Sequence, residues 1–168
     1  MNKIFSVLFL LVVLSAPNAQ AQRPGPETPE DVLSVSGEVA HPLKLSVLDL
    51  AKLPRVKTTV KAHDGKPNTF DGIALAEVLR LAGVEFGEKL RGKQLALFLV
   101  VEAADGYRAV FALPELDPAF TDQVIILADH RDGKPLSPEE GPWRIVVPNE
   151  KREGRWVRQV AALIIRRA

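Results

Sequence analysis

The chain of 168 residues contains no cysteine. No disulfide can therefore staple the fold, and no thiolate is available to bind a metal, attack a substrate or exchange electrons. Such a chain has to be stabilised by buried apolar side chains, and a domain of about 150 residues buries enough surface to do so. The absence of cysteine thus predicts a fold that depends on one substantial hydrophobic core.

The N-terminal segment has the pattern of an export signal. Lys3 precedes an apolar run at 4–14, and Ala-Gln-Ala at 19–21 has the small-residue spacing of a cleavage site. The run is too short to cross a bilayer as a helix. We therefore expect residues 1–21 to be a cleaved signal peptide and the mature chain, from Gln22, to be periplasmic or secreted without a transmembrane anchor.

The rest of the chain is predicted to form a flexible leader and one domain. Residues 22–31 are rich in proline and charge and predict the leader, and residues 32–168 predict the single domain. Cleavage would remove one of the 22 Lys+Arg residues and leave 21 against 21 Asp+Glu. This balance predicts no general attraction to nucleic acid or acidic lipid.

Apolar periodicity predicts an α+β fold with mixed β-sheets and a few short helices. A hairpin is expected at 94–113, with its turn at Asp105 and Gly106. Ser46, with Asp49 three residues later, predicts a helix cap. The expected strands are 32–39, 55–63, 93–103, 108–113, 123–129, 143–148 and 160–166, and the expected helices are 45–54 and 72–83.

Two kinds of catalytic site are disfavoured by the sequence. No G-x-S-x-G motif surrounds any serine, and His41, His63 and His130 lack the spacing of zinc ligands.

The stretch GPWRIVVPNEKREGRWVRQV at 141–160 sets five cationic side chains around two tryptophans. By itself this stretch fits either an anion site or a solvated basic surface.

The order of several motifs carries more information than any one of them. V-x-G-x-V-x-x-P-L, L-x-x-L-P, G-I-x-L-x-x-V-L-x-x-A-G, A-D-G-Y, I-L-A-x-x-x-D-G-K-P-L, G-P-W-R-I-V-V-P and R-W-V-R follow one another between Val32 and Arg166. This series resembles the oxidoreductase molybdopterin-binding domain family. The resemblance implies a sulfite-oxidase-like fold and a molybdenum cofactor whose pterin phosphate is held by basic residues.

The resemblance also implies which residues would contact a pterin. Arginine forks suit phosphate because they donate two charge-assisted hydrogen bonds at once. By matching motif to motif, the implied cofactor-binding residues are Tyr107, Arg144, Arg155 and Trp156, with Arg158 as a nearby basic candidate.

The chain departs from the family pattern at the metal. Catalytic relatives use a cysteine on the strand before the G-I-x-L helix, and counting back from Gly72 puts this position near Val60, which alternation turns inward. His63 and Asp64 are the nearest residues able to bind a cofactor, but neither supplies soft sulfur. A family histidine is also replaced, with Glu140 close to its position. No catalytic or metal-ligating residue is therefore assigned.

Three functions remain open at this stage. The favoured hypothesis is a binding module that takes a pterin or another small anionic ligand without a metal bonded to the protein. A molybdopterin-dependent oxidoreductase with a non-cysteine ligand, served by a periplasmic redox partner, is the enzyme alternative. The third is a non-catalytic interaction protein in which the basic stretch is only a solvated face.

Overall fold

The computed structural model describes residues 32–61 and 65–168. The predicted signal peptide, the leader and His63 lie outside the described residues. Within the described residues, two α-helices, α1 (Val47–Leu50) and α2 (Leu75–Leu81), accompany ten strands. The strands are β1 (Val32–Gly37), β2 (Leu43–Ser46), β3 (Arg55–Lys61), β4 (Pro67–Ala74), β5 (Leu97–Ala103), β6 (Arg108–Ala112), β7 (Ile126–Arg131), β8 (Lys134–Pro135), β9 (Arg144–Val146) and β10 (Val160–Arg167).

The strands form two sheets. The first has the order β2-β1-β10-β5-β6, in which β1 and β10 are parallel and the other neighbours are antiparallel. The second has the order β3-β4-β7-β8, and β9 also pairs with β7. Because parallel and antiparallel pairs share the first sheet and the helices are few and short, the fold is α+β with mixed sheets, as the sequence predicts.

One hydrophobic core joins the two sheets. Leu33 and Leu99 of the first sheet belong to the same buried cluster as Ile126 and Ile145 of the second. Val60 of β3 packs against this cluster from its margin, as the alternation of its strand predicts. The core therefore supplies the stability that a chain without cysteine requires.

Several predicted elements are confirmed, with shifted ends. The hairpin of β5 and β6 has the expected turn, in which Gly106 has a φ of 84° that suits a residue without a Cβ. Ser46 caps α1 by accepting a hydrogen bond from the Asp49 backbone N–H. No helix in the part of the chain that the structure describes has the length and hydropathy needed to span a bilayer.

Two predicted helices are too long. The first spans only Val47–Leu50, because Leu43 and Leu45 pair with β1 as part of β2. The second begins at Leu75 rather than at residue 72, because the preceding residues belong to β4, a strand that the sequence analysis missed. Gly72 sits there at a bulge where an added Cβ would lie 2.2 Å from the carbonyl oxygen of Leu127.

Several predicted strands also have different bounds. The strand predicted at 32–39 ends at Gly37, whose φ is 90°. The strand predicted at 93–103 begins at Leu97, because Gly92–Ala96 forms a 3-10 turn. The strand predicted at 123–129 is Ile126–Arg131, and the strand predicted at 143–148 is shortened to Arg144–Val146.

Candidate functional site

The basic stretch at 141–160 folds back along itself. The backbone N–H of Ile145 donates to the carbonyl of Val157 at 2.8 Å, and that of Val160 donates to Trp143 at 2.9 Å. Between these contacts the chain makes a 3-10 turn over Glu153–Arg155. The fold-back separates the arginines of this stretch into different environments.

Arg144 is buried between the sheets, with its side chain 6% exposed. Its Nη1 donates to Oε1 of Glu140 at 2.5 Å, and Arg131 donates to the same oxygen at 3.1 Å. The guanidinium also lies over the rings of Phe70 and Trp156, with its Cζ 5.3 and 5.6 Å from their centroids. Burial lowers the pKa of Arg144 from its ordinary value, although the nearby carboxylates oppose this shift.

Three buried polar atoms in this cluster have no hydrogen-bond partner among the described residues. They are Oε2 of Glu140, Nε of Arg144 and Nε1 of Trp156. Buried polar groups are normally hydrogen-bonded. The two unpaired N–H donors and the unpaired carboxylate oxygen therefore make this cluster unusually polar for the interior of a fold. The Trp156 ring also meets Phe70 edge-on at 6.0 Å, which fixes its plane.

Arg155 is held by carboxylates on the other side of the turn. Its Nε and Nη2 donate to Glu150, and its Nη1 donates to Glu115 at 2.9 Å and to the carbonyl of Val110 at 3.1 Å. Burial alone would lower the pKa of Arg155, but these carboxylates raise it above its ordinary value. Because a guanidinium has five N–H donors, the four hydrogen bonds leave it little capacity for a phosphate.

A cleft of about 510 Å³ opens in front of Trp156. Tyr107, Trp156, Arg158 and Gln159 line it, and the Tyr107 hydroxyl donates to the carbonyl of Gly154 at 2.5 Å. Arg158 is exposed and forms no ion pair within residues 32–61 and 65–168. The cleft therefore combines two aromatic rings with a cation that is available to a ligand.

The rim of this cleft is more acidic than the basic sequence suggests. Asp105, Glu139 and Glu153 line it, and Arg158 is the one cation among the lining residues that the structure describes. A hydrogen bond from Ser137 lowers the pKa of Glu139, so this side chain is an anion at neutral pH. This arrangement repels a multiply charged anion but suits a ligand that offers N–H donors and one negative group.

The predicted site residues thus fall into three groups. Tyr107, Trp156 and Arg158 meet at the cleft, whereas Arg144 and Arg155 do not line it. His63 lies outside the described residues. Sequence reasoning missed Glu139 and Glu153 as lining residues, together with Asp105 and Gln159. Asp105 lies within the A-D-G-Y motif and Glu153 within the basic stretch at 141–160, so the sequence marked both segments but not the role of these carboxylates as lining residues.

Within the same described ranges, no group of three or more His, Cys, Asp or Glu side chains is placed to hold a metal ion. Trp143, the second tryptophan of the stretch, is buried in the core. The site that the structure builds is consequently an aromatic cleft with a mixed-charge rim.

Comparisons with known proteins agree with this fold. The crystal structure of the sulfane dehydrogenase SoxCD from Paracoccus pantotrophus superimposes with a TM-score of 0.65 over 83% of this chain, at 22% identity. The shared architecture is that of the sulfite-oxidase-type domain. The match covers 39% of the Paracoccus chain.

The family is identified by sequence. Residues 65–167, which are 103 of the 168, match the model of the oxidoreductase molybdopterin binding domain, and the chain belongs to that family. It is also 27% identical over 136 residues to the uncharacterized oxidoreductase YuiH of Bacillus subtilis strain 168. That alignment covers 76% of this chain and 63% of the relative, so the chain spans less than two thirds of the protein it resembles.

The residues present fit only part of a molybdopterin. The half-exposed ring of Tyr107 and the unpaired guanidinium of Arg158 can take a flat heteroaromatic ring and one anionic group, whereas Trp156, which is 7% exposed, offers little ring surface. Arg144 and Arg155 are already engaged by carboxylates, and the chain has no cysteine to bond the metal. The side chains therefore match the organic part of the cofactor and do not match a thiolate-bound metal.

Proposed function

We propose that this protein is a ligand-binding module that takes a pterin or a related small heteroaromatic ligand and forms no bond from a side chain to a metal. The observation that carries the proposal is the meeting of Tyr107, Trp156 and unpaired Arg158 in one cleft of about 510 Å³. Pockets for small molecules combine apolar ring surfaces with a few polar groups in this way, and volumes of roughly 300–1,000 Å³ are usual.

The charges of the rim define the ligand further. A pyrimidine-type ring edge that offers parallel N–H groups can donate to a carboxylate such as Glu139 or Glu153. Its single anionic substituent would then pair with Arg158, while the ring lies against the aromatic side chains. A ligand with two or more negative charges would meet repulsion from Asp105 and Glu139, whereas Glu153 is partly neutralised by Arg144, whose Nη2 lies 3.6 Å from its Oε2.

A fluorescence titration with 6-carboxypterin tests the proposal. We expect saturable quenching of the pterin emission by the mature chain, because the ring would lie close to Trp156. Arg158→Ala should weaken this binding roughly tenfold or more, since it removes a charge-assisted hydrogen bond. Arg91→Ala, which changes an exposed arginine away from the cleft, is the matched control and should bind like wild type. Absent quenching, or equal affinities for the two variants, would reject the cleft as the site.

The enzyme alternative makes a different prediction. A molybdenum centre held by its dithiolene alone, or by His63, would give one metal per chain in protein purified from its native source. We expect substoichiometric or no molybdenum by elemental analysis, because the chain contains no cysteine thiolate to retain it. One molybdenum atom per chain would overturn the binding-module proposal.

Export to the periplasm or the exterior is part of the proposal. It is supported by the charged start, the apolar run and the A-x-A site in residues 1–21. The mass of the protein from its native source should match a chain that begins at Gln22. A mass that includes the first 21 residues would show that the segment is retained.

A further inference from the structure

Strand β6 is the last strand of the first sheet, and one of its edges pairs with no other strand of the described chain. In an antiparallel pair, alternate residues direct their N–H and C=O groups away from the neighbouring strand. Val110 and Ala112 do so here, because Val110 accepts from Arg155 and Ala112 donates to Glu115 rather than to β5. Open strand edges of this kind favour pairing with another chain.

An ion pair occupies this edge in the manner of another strand. The Arg155 guanidinium donates to the Val110 carbonyl at 3.1 Å, and the Glu115 carboxylate accepts from the Ala112 N–H at 2.9 Å. The two side chains are joined to each other at 2.9 Å. In a parallel sheet, one residue of the neighbouring strand likewise donates to the C=O of one residue and accepts from the N–H of the residue two positions further on.

We infer that the Arg155–Glu115 pair stands in for the next strand at the β6 edge and keeps this edge from pairing with the β6 edge of a second copy of the chain. Without the pair, the outward C=O of Val110 and the outward N–H of Ala112 would have no partner, and in a solution of the pure protein the strand edge available to them is that of a second copy. Charged side chains at strand edges are a general means of preventing such association.

Additional contacts hold the blocking group in place. Glu150 accepts from two nitrogens of Arg155, and the guanidinium lies 4.5 Å from the centroid of the Phe111 ring. The Tyr107 hydroxyl ties the same turn to the hairpin through Gly154. Arg155 is consequently fixed by contacts on several sides, as an edge-blocking residue needs to be. This inference does not depend on ligand binding in the cleft.

The test compares the self-association of variants by sedimentation velocity over a range of concentrations. Arg155→Met with Glu115→Ala removes both edge contacts and retains an aliphatic side chain over Phe111. We expect the weight-average sedimentation coefficient of this variant to exceed that of wild type at equal concentration. Adding Val110→Pro should reverse the association, because proline removes the outward N–H and obstructs edge pairing while edge strands tolerate it.

A matched control removes another exposed ion pair, Arg167 with Glu38, by Arg167→Met with Glu38→Ala. This control should sediment like wild type. Sedimentation of the edge variant like wild type, or association that Val110→Pro leaves unchanged, would overturn the inference.

Hydrogen exchange of single variants keeps the inference testable if the double variant does not fold. Glu115→Ala should speed exchange of the Ala112 amide roughly two- to tenfold, the range expected for one lost hydrogen bond. The Ala109 amide, whose residue pairs with Val101 in the β5–β6 ladder, provides the internal reference. Unchanged exchange at Ala112 would show that Glu115 does not cover the edge.

Discussion

Two arginines of the basic stretch, Arg144 and Arg158, differ in what they can do. Arg144 is buried, paired with Glu140 and enclosed by aromatic side chains. Arg158 is exposed at the cleft and forms no ion pair in the described part of the chain. Residues only fourteen positions apart in one basic stretch thus have different environments, one buried and paired and the other exposed, and we propose only the second for ligand binding. Positive charge in a sequence indicates a ligand site only where the fold leaves it unpaired.

The largest difference between these two arginines should be seen in stability. Arg144→Met leaves the carboxylate of Glu140 buried without its closest partner. Breaking a buried ion pair in this way costs about 3 to 5 kcal/mol in the free energy of unfolding. Urea denaturation of the variant and of wild type measures the change. A loss below about 1 kcal/mol would show that the cluster is hydrated and loosely held.

A double substitution sharpens the same contrast. Arg144→Met with Glu140→Leu removes both charges and two of the three orphaned polar atoms, and leaves only Nε1 of Trp156. Replacing a buried ion pair by apolar side chains is often neutral or stabilising, so the double variant should recover most of the stability lost in the single variant. Arg131 loses a partner but is partly exposed and can be hydrated. Additive losses in the two single variants and the double variant would contradict a direct pair.

Arg55 of the second sheet donates hydrogen bonds to Asp71 and Asp129. This network should make the stability of the fold depend on pH. Burial raises the pKa of Asp129, but hydrogen bonds from Arg55 and His130 lower it below its ordinary value overall. A lowered folded pKa means that the stability is present above the ordinary carboxyl pKa of about 3.9 and is lost as the pH falls toward the folded value. Arg55→Ala should therefore flatten the decline of stability with acid below about pH 4. An unchanged slope in acid denaturation would contradict this network.

A smaller effect is expected at the hydroxyl of Tyr107. Tyr107→Phe keeps the ring in the cleft and removes the hydrogen bond to Gly154. We expect a loss of about 0.5 kcal/mol, the lower end of the range for one hydrogen bond, because the residue is half exposed. Thermal unfolding measures the loss, and pterin affinity measures whether the turn has moved. A loss of stability as large as that of Arg144→Met would mean that Tyr107 serves mainly to stabilise the fold.

The smallest effect on stability is expected for Arg158→Ala. An exposed side chain without an ion pair contributes within about 0.5 kcal/mol of zero. The same variant should lose pterin affinity, so binding and stability separate at this residue. A variant that unfolds at clearly lower urea concentration would place Arg158 in the structural network instead.

Much of the fold is visible in the sequence where local patterns and tertiary contacts agree. The β5–β6 hairpin follows from its apolar run and its Asp-Gly turn. Strand β4 was missed because its register shifts at Asp71 and Gly72, which breaks the alternation, and because α2 follows it without a turn. The predicted helix at 45–54 includes Leu45 and Ser46 of strand β2, because the cap at Ser46 is a local signal, whereas pairing with β1 decides the conformation of these residues.

The site was less visible than the fold for a physical reason. A motif shows that Arg155 is present but cannot show that Glu115, forty positions earlier, neutralises it. The burial of Arg144 depends on Phe70 and Trp156 meeting across the core, which no local pattern encodes. Residue types and their order therefore identified the family, while the separation of paired from unpaired charge required the three-dimensional structure.

A crystal structure of the chain with 6-carboxypterin would test most directly whether Arg158, and not Arg144 or Arg155, binds the ligand. Our account predicts the pterin ring against Tyr107 and Trp156 and its carboxylate on Arg158, with Glu140 still on Arg144 and Glu150 still on Arg155. A pterin bound to Arg144 or Arg155 in place of these carboxylates would contradict it.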